Sequence, residues 1–237
     1  MRLDLPLHRG RLVARRKRFL ADVVLDDGRD LTAHCPNSGA MTGLDAPGSP
    51  VIVSDSGNPA RKLRFTLERV RAGRAWVGVN TMLPNRLARE AVERGRIPAL
   101  RGPGEVRTEV VLEPGTRIDL RLGGGRGAPP DSAPCWVEVK SVTLREGREA
   151  LFPDAVTERG LKHLEALTRA VGRGERAAML YVVNRADCDV FAPAESIDPA
   201  YAAALRAAAR AGVLVLAHEV RMRGPRVWLA GALPVRL

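Results

Sequence analysis

Between residues 11 and about 79, apolar and polar positions alternate through six short runs, RLVARRK, FLADVVLD, RDLTAH, PVIVSDS, RKLRFTLERV and RAWVGVN. Side chains two apart share one face of a strand, so the alternation predicts half-buried strands. Asp27-Gly28, between the second run and the third, is a favoured hairpin turn. Strands at such close spacing predict a small barrel, with the five-stranded OB type as the leading candidate. The segment Cys35 to Ser49, rich in Pro, Asn and Gly, breaks the pattern and predicts an irregular connection.

After Asn80 the period changes. The run 83–94 is opened by Pro84, closed by Gly95 and carries Leu87 and Ala91 at helical spacing. Strand-like runs EVRTEVVLE and TRIDLRL follow, then a Gly- and Pro-rich loop over 123–134, and the strand CWVEVKSVTL. A helix over about 154–171 places Leu161, Leu164, Leu167 and Val171 on one face; the apolar run AAMLYVVNR is a buried strand. An Ala-rich helix over 199–211 and strands GVLVLAHEV and RVWLAGAL complete the chain. The expected organisation is an all-β OB-like domain over 1–80 and an α/β domain over 81–237 whose first strands form a meander.

The chemistry lies in that meander. Glu138 and Lys140 are two apart and share a sheet face, with Val137 and Val139 on the other. In the preceding strand Asp119 is expected on the face opposite Ile118 and Leu120, and antiparallel pairing brings it beside Glu138. Two adjacent carboxylates repel unless a cation neutralises them, and hard oxygen ligands select Mg2+ or Mn2+. This is the layout of a PD-(D/E)xK nuclease: Asp119 and Glu138 hold the metal, with the Val139 carbonyl as a further ligand. Lys140 orients or deprotonates the attacking water. Glu90, on the preceding helix, is expected as a third metal ligand, and Arg159, Lys162 and His163, a turn apart on the following helix, as phosphate-holding residues. The same D…ExK pattern also arises as cross-strand ion pairs on a solvated hairpin. His34 reads as a strand-end histidine.

The formal charge of +11 sharpens this reading, since a basic chain attracts a polyanion and releases its condensed counterions. Four of the 38 basic residues are lysines, leaving 34 arginines. Against that preference, a lysine two residues after a glutamate suggests a need for a compact ammonium able to give up its proton. The three cysteines are too far apart for a zinc site and odd in number, which predicts reduced thiols. No apolar run reaches the roughly 18 residues of a membrane span, and the first residues lack the apolar core of a signal peptide, so a cytoplasmic address without a membrane partner is expected. Phe, Trp and Tyr make up 4% of the chain, too few to favour a sugar-stacking site.

Several motifs carry a resemblance across nearly the whole chain: RFLAD (18–22), TAHCPN (32–37) with Gly39 and Met41, VGVNT (77–81) with Pro84 and Asn85, RID (117–119), VEVKSVT (137–143), FPDAVT (152–157) with RGLKH (159–163), and DPAY (198–201). In these the sequence resembles the bacterial and archaeal sugar fermentation stimulation protein A family. The resemblance implies an N-terminal OB-like domain, a PD-(D/E)xK-like domain, and DNA binding linked to the regulation of sugar use. It matches Asp119, Glu138 and Lys140 to the nuclease signature and sets Phe152-Pro153-Asp154 apart from it. Arg18 and Arg117 lie within the shared motifs and join Arg159, Lys162 and His163 as expected nucleic-acid-binding residues. Leu161 departs from the usual Gln of RGQKH, and a related glutamine helps fix the active site in some nucleases of this class. Two functions follow: a largely sequence-independent DNA-binding protein with a Mg-dependent phosphodiesterase site, acting on DNA or on RNA and single strands, or a non-catalytic DNA-binding regulator on a degenerate nuclease fold.

Overall fold

The structure, a computed structural model, describes residues 1–102, 104–123 and 133–237. The loop expected over 123–134 therefore lies largely outside the described residues.

The six N-terminal strands are β1 (Leu7–Arg16), β2 (Leu20–Leu25), β3 (Asp30–His34), β4 (Pro50–Asp55), β5 (Phe65–Ala72) and β6 (Ala75–Gly78). They pair in the order β3-β2-β1-β4-β5-β6, and a parallel bridge from His34 to Thr66 joins β3 to β5. Five strands thus close into an OB barrel and β6 extends its hairpin. Closure removes the exposed edges of an open sheet, and the inward positions, among them Leu12, Val23, Ala33, Val53, Leu67 and Val77, form one core. Gly10 is required by close packing: a Cβ there would stand 2.4 Å from the Val24 carbonyl oxygen. Gly28 supplies the left-handed residue of the Asp27-Gly28 turn, at φ 85°.

The second domain is a three-layer sandwich. Its sheet runs β15-β14-β12-β9-β8-β7, built from β7 (Val106–Glu113), β8 (Thr116–Leu122), β9 (Cys135–Val142), β12 (Arg176–Val183), β14 (Leu214–Arg223) and β15 (Arg226–Leu233). The central β9, β12 and β14 are parallel. After its exposed first residue, Arg176, β12 is apolar and buried on both faces, as central parallel strands are. Helix α1 (Pro84–Glu93) covers one face; α2 (Glu158–Gly172) and α3 (Pro199–Arg210) cover the other. Strands β10 (Leu144–Glu146), β11 (Glu149–Phe152) and β13 (Val190–Pro193) form a small separate sheet, absent from the sequence expectation because its strands have only three or four residues.

Residues 1–3, expected in the barrel domain, belong to the second. Leu3 packs in the core beside α1, its N–H donates to the Pro225 carbonyl, and the Met1 amine donates to that of Val227. The domains touch elsewhere too: the Gly78 N–H donates to the Asn184 carbonyl at 2.8 Å, and the Asp154 carboxylate accepts the Ala40 N–H at 3.1 Å. Among the described residues no helix is long and apolar enough to cross a membrane.

Candidate functional site

Strands β8 and β9 pair from Leu122↔Cys135 to Leu120↔Val137 and then part. One step further along that register stand Asp119 and Glu138, at the mouth of the fork. The Asp119 carboxylate fills the gap, where its Oδ2 accepts the Val139 N–H at 2.7 Å. In an extended strand the N–H and C=O of one residue lie on the same edge, so the Val139 carbonyl shares that edge.

Asp119 does not simply face away from Ile118 and Leu120. Ile118 joins the core beneath α2 and α3, whereas Leu120 joins the core beneath α1. The strand changes face at Asp119. Its neighbour across the β7 ladder is Glu109, which has a left-handed backbone at φ 56° and falls between the paired positions 108 and 110. This irregularity turns Asp119 edgewise into the fork, an orientation that strict alternation does not predict.

Glu138 and Lys140 do share a face with Trp136 and Val142, beneath α2, while Val137 and Val139 pack under α1. The Lys140 ammonium donates to Glu138 Oε1 at 2.7 Å, and His163 Nδ1 meets the same oxygen. The other oxygen, Glu138 Oε2, is buried and has no hydrogen-bond partner among the described residues. A bare buried carboxylate oxygen is costly unless a cation or donor reaches it. Burial pushes the Glu138 acid up, but His163 and Lys140 outweigh it and hold the group below the usual carboxylate range. Burial first, and the charge of Glu138 second, push Asp119 up to about 6.

Two further side chains hold this pair, Asn85, which was not expected at the site, and His163, which was expected there in another role. Asn85, on the first turn of α1, donates its side-chain N–H to Asp119 Oδ1 at 2.7 Å. His163, expected to hold phosphate, is instead buried against Glu138, with Nδ1 3.5 Å from the Lys140 ammonium. The Pro84-Asn85 motif and the Lys162-His163 pair were both visible in the chain, but their depth depends on helix orientation.

Glu90 is a correction. It lies on α1, yet its carboxylate binds the Met1 amine at 2.5 Å and Arg94 at 2.9 Å. Five residues separate it from Asn85, about 140° around a helix, so it cannot share the site face. Among the described residues no group of three His, Cys, Asp or Glu side chains converges as metal ligands. Asp119 and Glu138 are therefore the two carboxylates that the described residues bring together here.

Helix α2 is placed by its start. Thr157 caps it through Gly160 N–H at 3.1 Å, and Asp198 accepts both the Thr157 N–H and the Tyr201 N–H at 2.9 Å, tying the starts of α2 and α3 together. Gly160 lets the helices close in, since a Cβ there would lie 3.0 Å from the Tyr201 ring. The helix then presents Arg159, Lys162 and His163, with Arg117 of β8, around a concavity of about 640 Å³. Four of the five expected nucleic-acid residues thus converge. Arg117 also pairs with Glu109 at 2.8 Å. Arg18 is not among them: it sits at the left-handed tip of the β1–β2 hairpin, where its carbonyl accepts from Arg15. Leu161 is half-buried on α2 and brings no polar group to the carboxylates.

Comparison with known proteins places this architecture. Residues 13–79 match the family model of the SfsA N-terminal OB domain, and residues 82–225 match that of the sugar fermentation stimulation protein RE domain. The chain belongs to the SfsA family. Its relatives include the sugar fermentation stimulation protein homolog of Geobacter metallireducens, 52% identical with both chains fully covered, and that of Rhodospirillum centenum, 55% identical over 91% of each chain. The SfsA of Pyrococcus furiosus, solved in complex with Ca2+, superposes with a TM-score of 0.87 at 25% identity, covering 100% of this chain and 98% of that one. The SfsA architecture is therefore an OB barrel followed by an α/β domain, as the sequence motifs imply.

Proposed function

We propose that this SfsA protein binds nucleic acid and hydrolyses phosphodiester bonds at Asp119, Glu138 and Lys140 with Mg2+ or Mn2+. The observation that carries this reading is the fork between β8 and β9, where a buried, partnerless Glu138 oxygen and an Asp119 carboxyl raised to about 6 stand beside an ammonium group. An oxygen-only donor pair of this kind suits a hard divalent cation, and the Ca2+ complex of the Pyrococcus furiosus relative is in keeping with it. When bound, such a cation polarises the scissile phosphate and offsets the negative charge that builds on its oxygens.

The chain's own groups would do the rest. Asn85 and the Val139 N–H fix Asp119, and His163 fixes Glu138. Lys140, held at 2.7 Å from Glu138, aims its remaining N–H donors at the attacking water or a phosphate oxygen. Arg117, Arg159 and Lys162 surround the adjoining concavity and hold the backbone without reading bases. Three buried free thiols suit the reducing cytoplasm, where nucleic acid is available.

The second reading, a non-catalytic DNA-binding regulator, is favoured by Leu161, which leaves the site without the amide common in this motif. Incubation with labelled single-stranded, duplex and structured DNA and RNA in Mn2+ or Mg2+ separates the two. Hydrolysis lost in Glu138→Gln and Lys140→Ala, with binding kept, supports the enzyme. Binding without hydrolysis on every substrate supports the regulator.

A further inference from the structure

A second concave surface lies where the domains meet, away from the carboxylates. The β5–β6 hairpin of the barrel docks against the ends of β12 and β14: Gly78 bonds to Asn184 and lies against Met222. The seam between this hairpin and the β14–β15 hairpin opens a groove of about 820 Å³, lined by Arg74, Trp76, Arg145, Arg148, Arg221 and Trp228, with Asp187 the one acid on its wall among the described residues. The chain has three tryptophans, and this groove takes two; the third, Trp136, is buried under the Arg121 guanidinium. Trp76 and Trp228 are both partly exposed. Arg221 and Trp228 are direct partners across the β14–β15 ladder and so project from the same face.

The groove does not end there. Trp228 also lines an adjoining concavity of about 720 Å³ whose wall carries Arg94, Arg96, Arg223 and Arg226, opposed among the described residues by the single acid Glu90. Arg145, Arg148 and Arg221 make ion pairs with Asp187, Asp189 and Glu219. Exposed pairs of this kind are weak and leave guanidinium donors for phosphate. Arg74 has no ion-pair partner among the described residues. The two concavities meet at Trp228 and together form an arginine track with indole rings set in it.

We propose that this track is a binding groove for a single nucleic-acid strand, whose bases stack on Trp76 and Trp228 while arginines follow the phosphates. The proposal rests on the nucleic-acid reading above and extends it to a second, non-catalytic contact. A duplex keeps its base faces inside the stack, so the exposed indoles favour an unpaired strand. In sheet order β12 and β14 separate β15 from β9, roughly 14 Å at three strand spacings. The groove therefore holds strand beyond the bond at the carboxylates.

Oligothymidylate titrated into the full chain in EDTA, followed by tryptophan emission, tests this. Emission should be quenched, and Trp228→Leu should weaken binding at least about fivefold, the lower end for one stacked base. Arg74→Glu, a surface change that leaves the fold intact, should weaken it comparably, and an equal-length duplex should bind more weakly and ignore Trp228→Leu. Oligouridylate replaces the probe to separate RNA from DNA, and tighter binding of either single strand supports the groove. If Trp228→Leu and Arg74→Glu both bind as wild type while Arg159→Ala/Lys162→Ala binds worse, the groove is refuted and the carboxylate-site reading stands. If no form binds any strand, both fail.

Discussion

Asp119 accepts the Val139 backbone N–H at 2.7 Å, across the point where β8 and β9 separate. The bond holds a carboxylate edgewise between two strands, within reach of Glu138 but at the cost of burial. Its raised pKa, about 6 against an ordinary 3.8, follows from that position.

The shift has a sign. Between pH 3.8 and about 6 the folded chain binds more protons at Asp119 than the unfolded chain does, so stability falls as pH rises through that window. Above it the ionised group is a standing penalty. Asp119→Asn should raise the metal-free melting temperature at pH 8 by about 3–6 °C, corresponding to roughly 1–2 kcal/mol. At pH 4 the gain should vanish. Thermal unfolding in EDTA at the two pH values measures it.

Asn85 lowers the pKa of Asp119 by donating to its other oxygen. Asn85→Ala should move the acid limb of the pH–rate profile to higher pH and cut kcat about tenfold, with KM little changed. A change confined to KM would make Asn85 a substrate contact instead.

Gly160 is where α2 approaches Tyr201, and a Cβ there would stand 2.8 Å from Thr157 Cγ2. Gly160→Ala should destabilise the fold by about 1–3 kcal/mol through overpacking, despite alanine's better helix propensity. Urea denaturation checks the direction.

Arg159 and Lys162 are exposed on α2, facing the concavity. Replacing both by Ala should lower the slope of log K against log salt by about 2, one unit for each lost phosphate contact. Fluorescence anisotropy from about 50 to 200 mM salt reads the slope.

Much of this was legible in the residues, for local reasons. Period-two alternation marks the barrel strands, and Glu138 and Lys140 share a face because any strand places i and i+2 together. What escaped depends on contacts between distant elements. Whether Glu90 or Asn85 faces the carboxylates is decided by how α1 sits on the sheet, and the Met1 amine claims Glu90. Asp119 turns sideways because of Glu109, a left-handed residue that no alternation announces. His163 looked like one basic residue among three, and its burial on Glu138 follows only from the α2–α3 approach at Gly160.

The direct test of the central claim is calorimetric titration of Mn2+ into the metal-free protein at pH 6 and pH 8. Cation binding at the proposed site should release about half a proton at pH 6, where Asp119 is half protonated, and almost none at pH 8. Affinity should fall at least about tenfold in Asp119→Asn and in Glu138→Gln. Binding unchanged in both variants, or no binding by the wild-type chain, would contradict it.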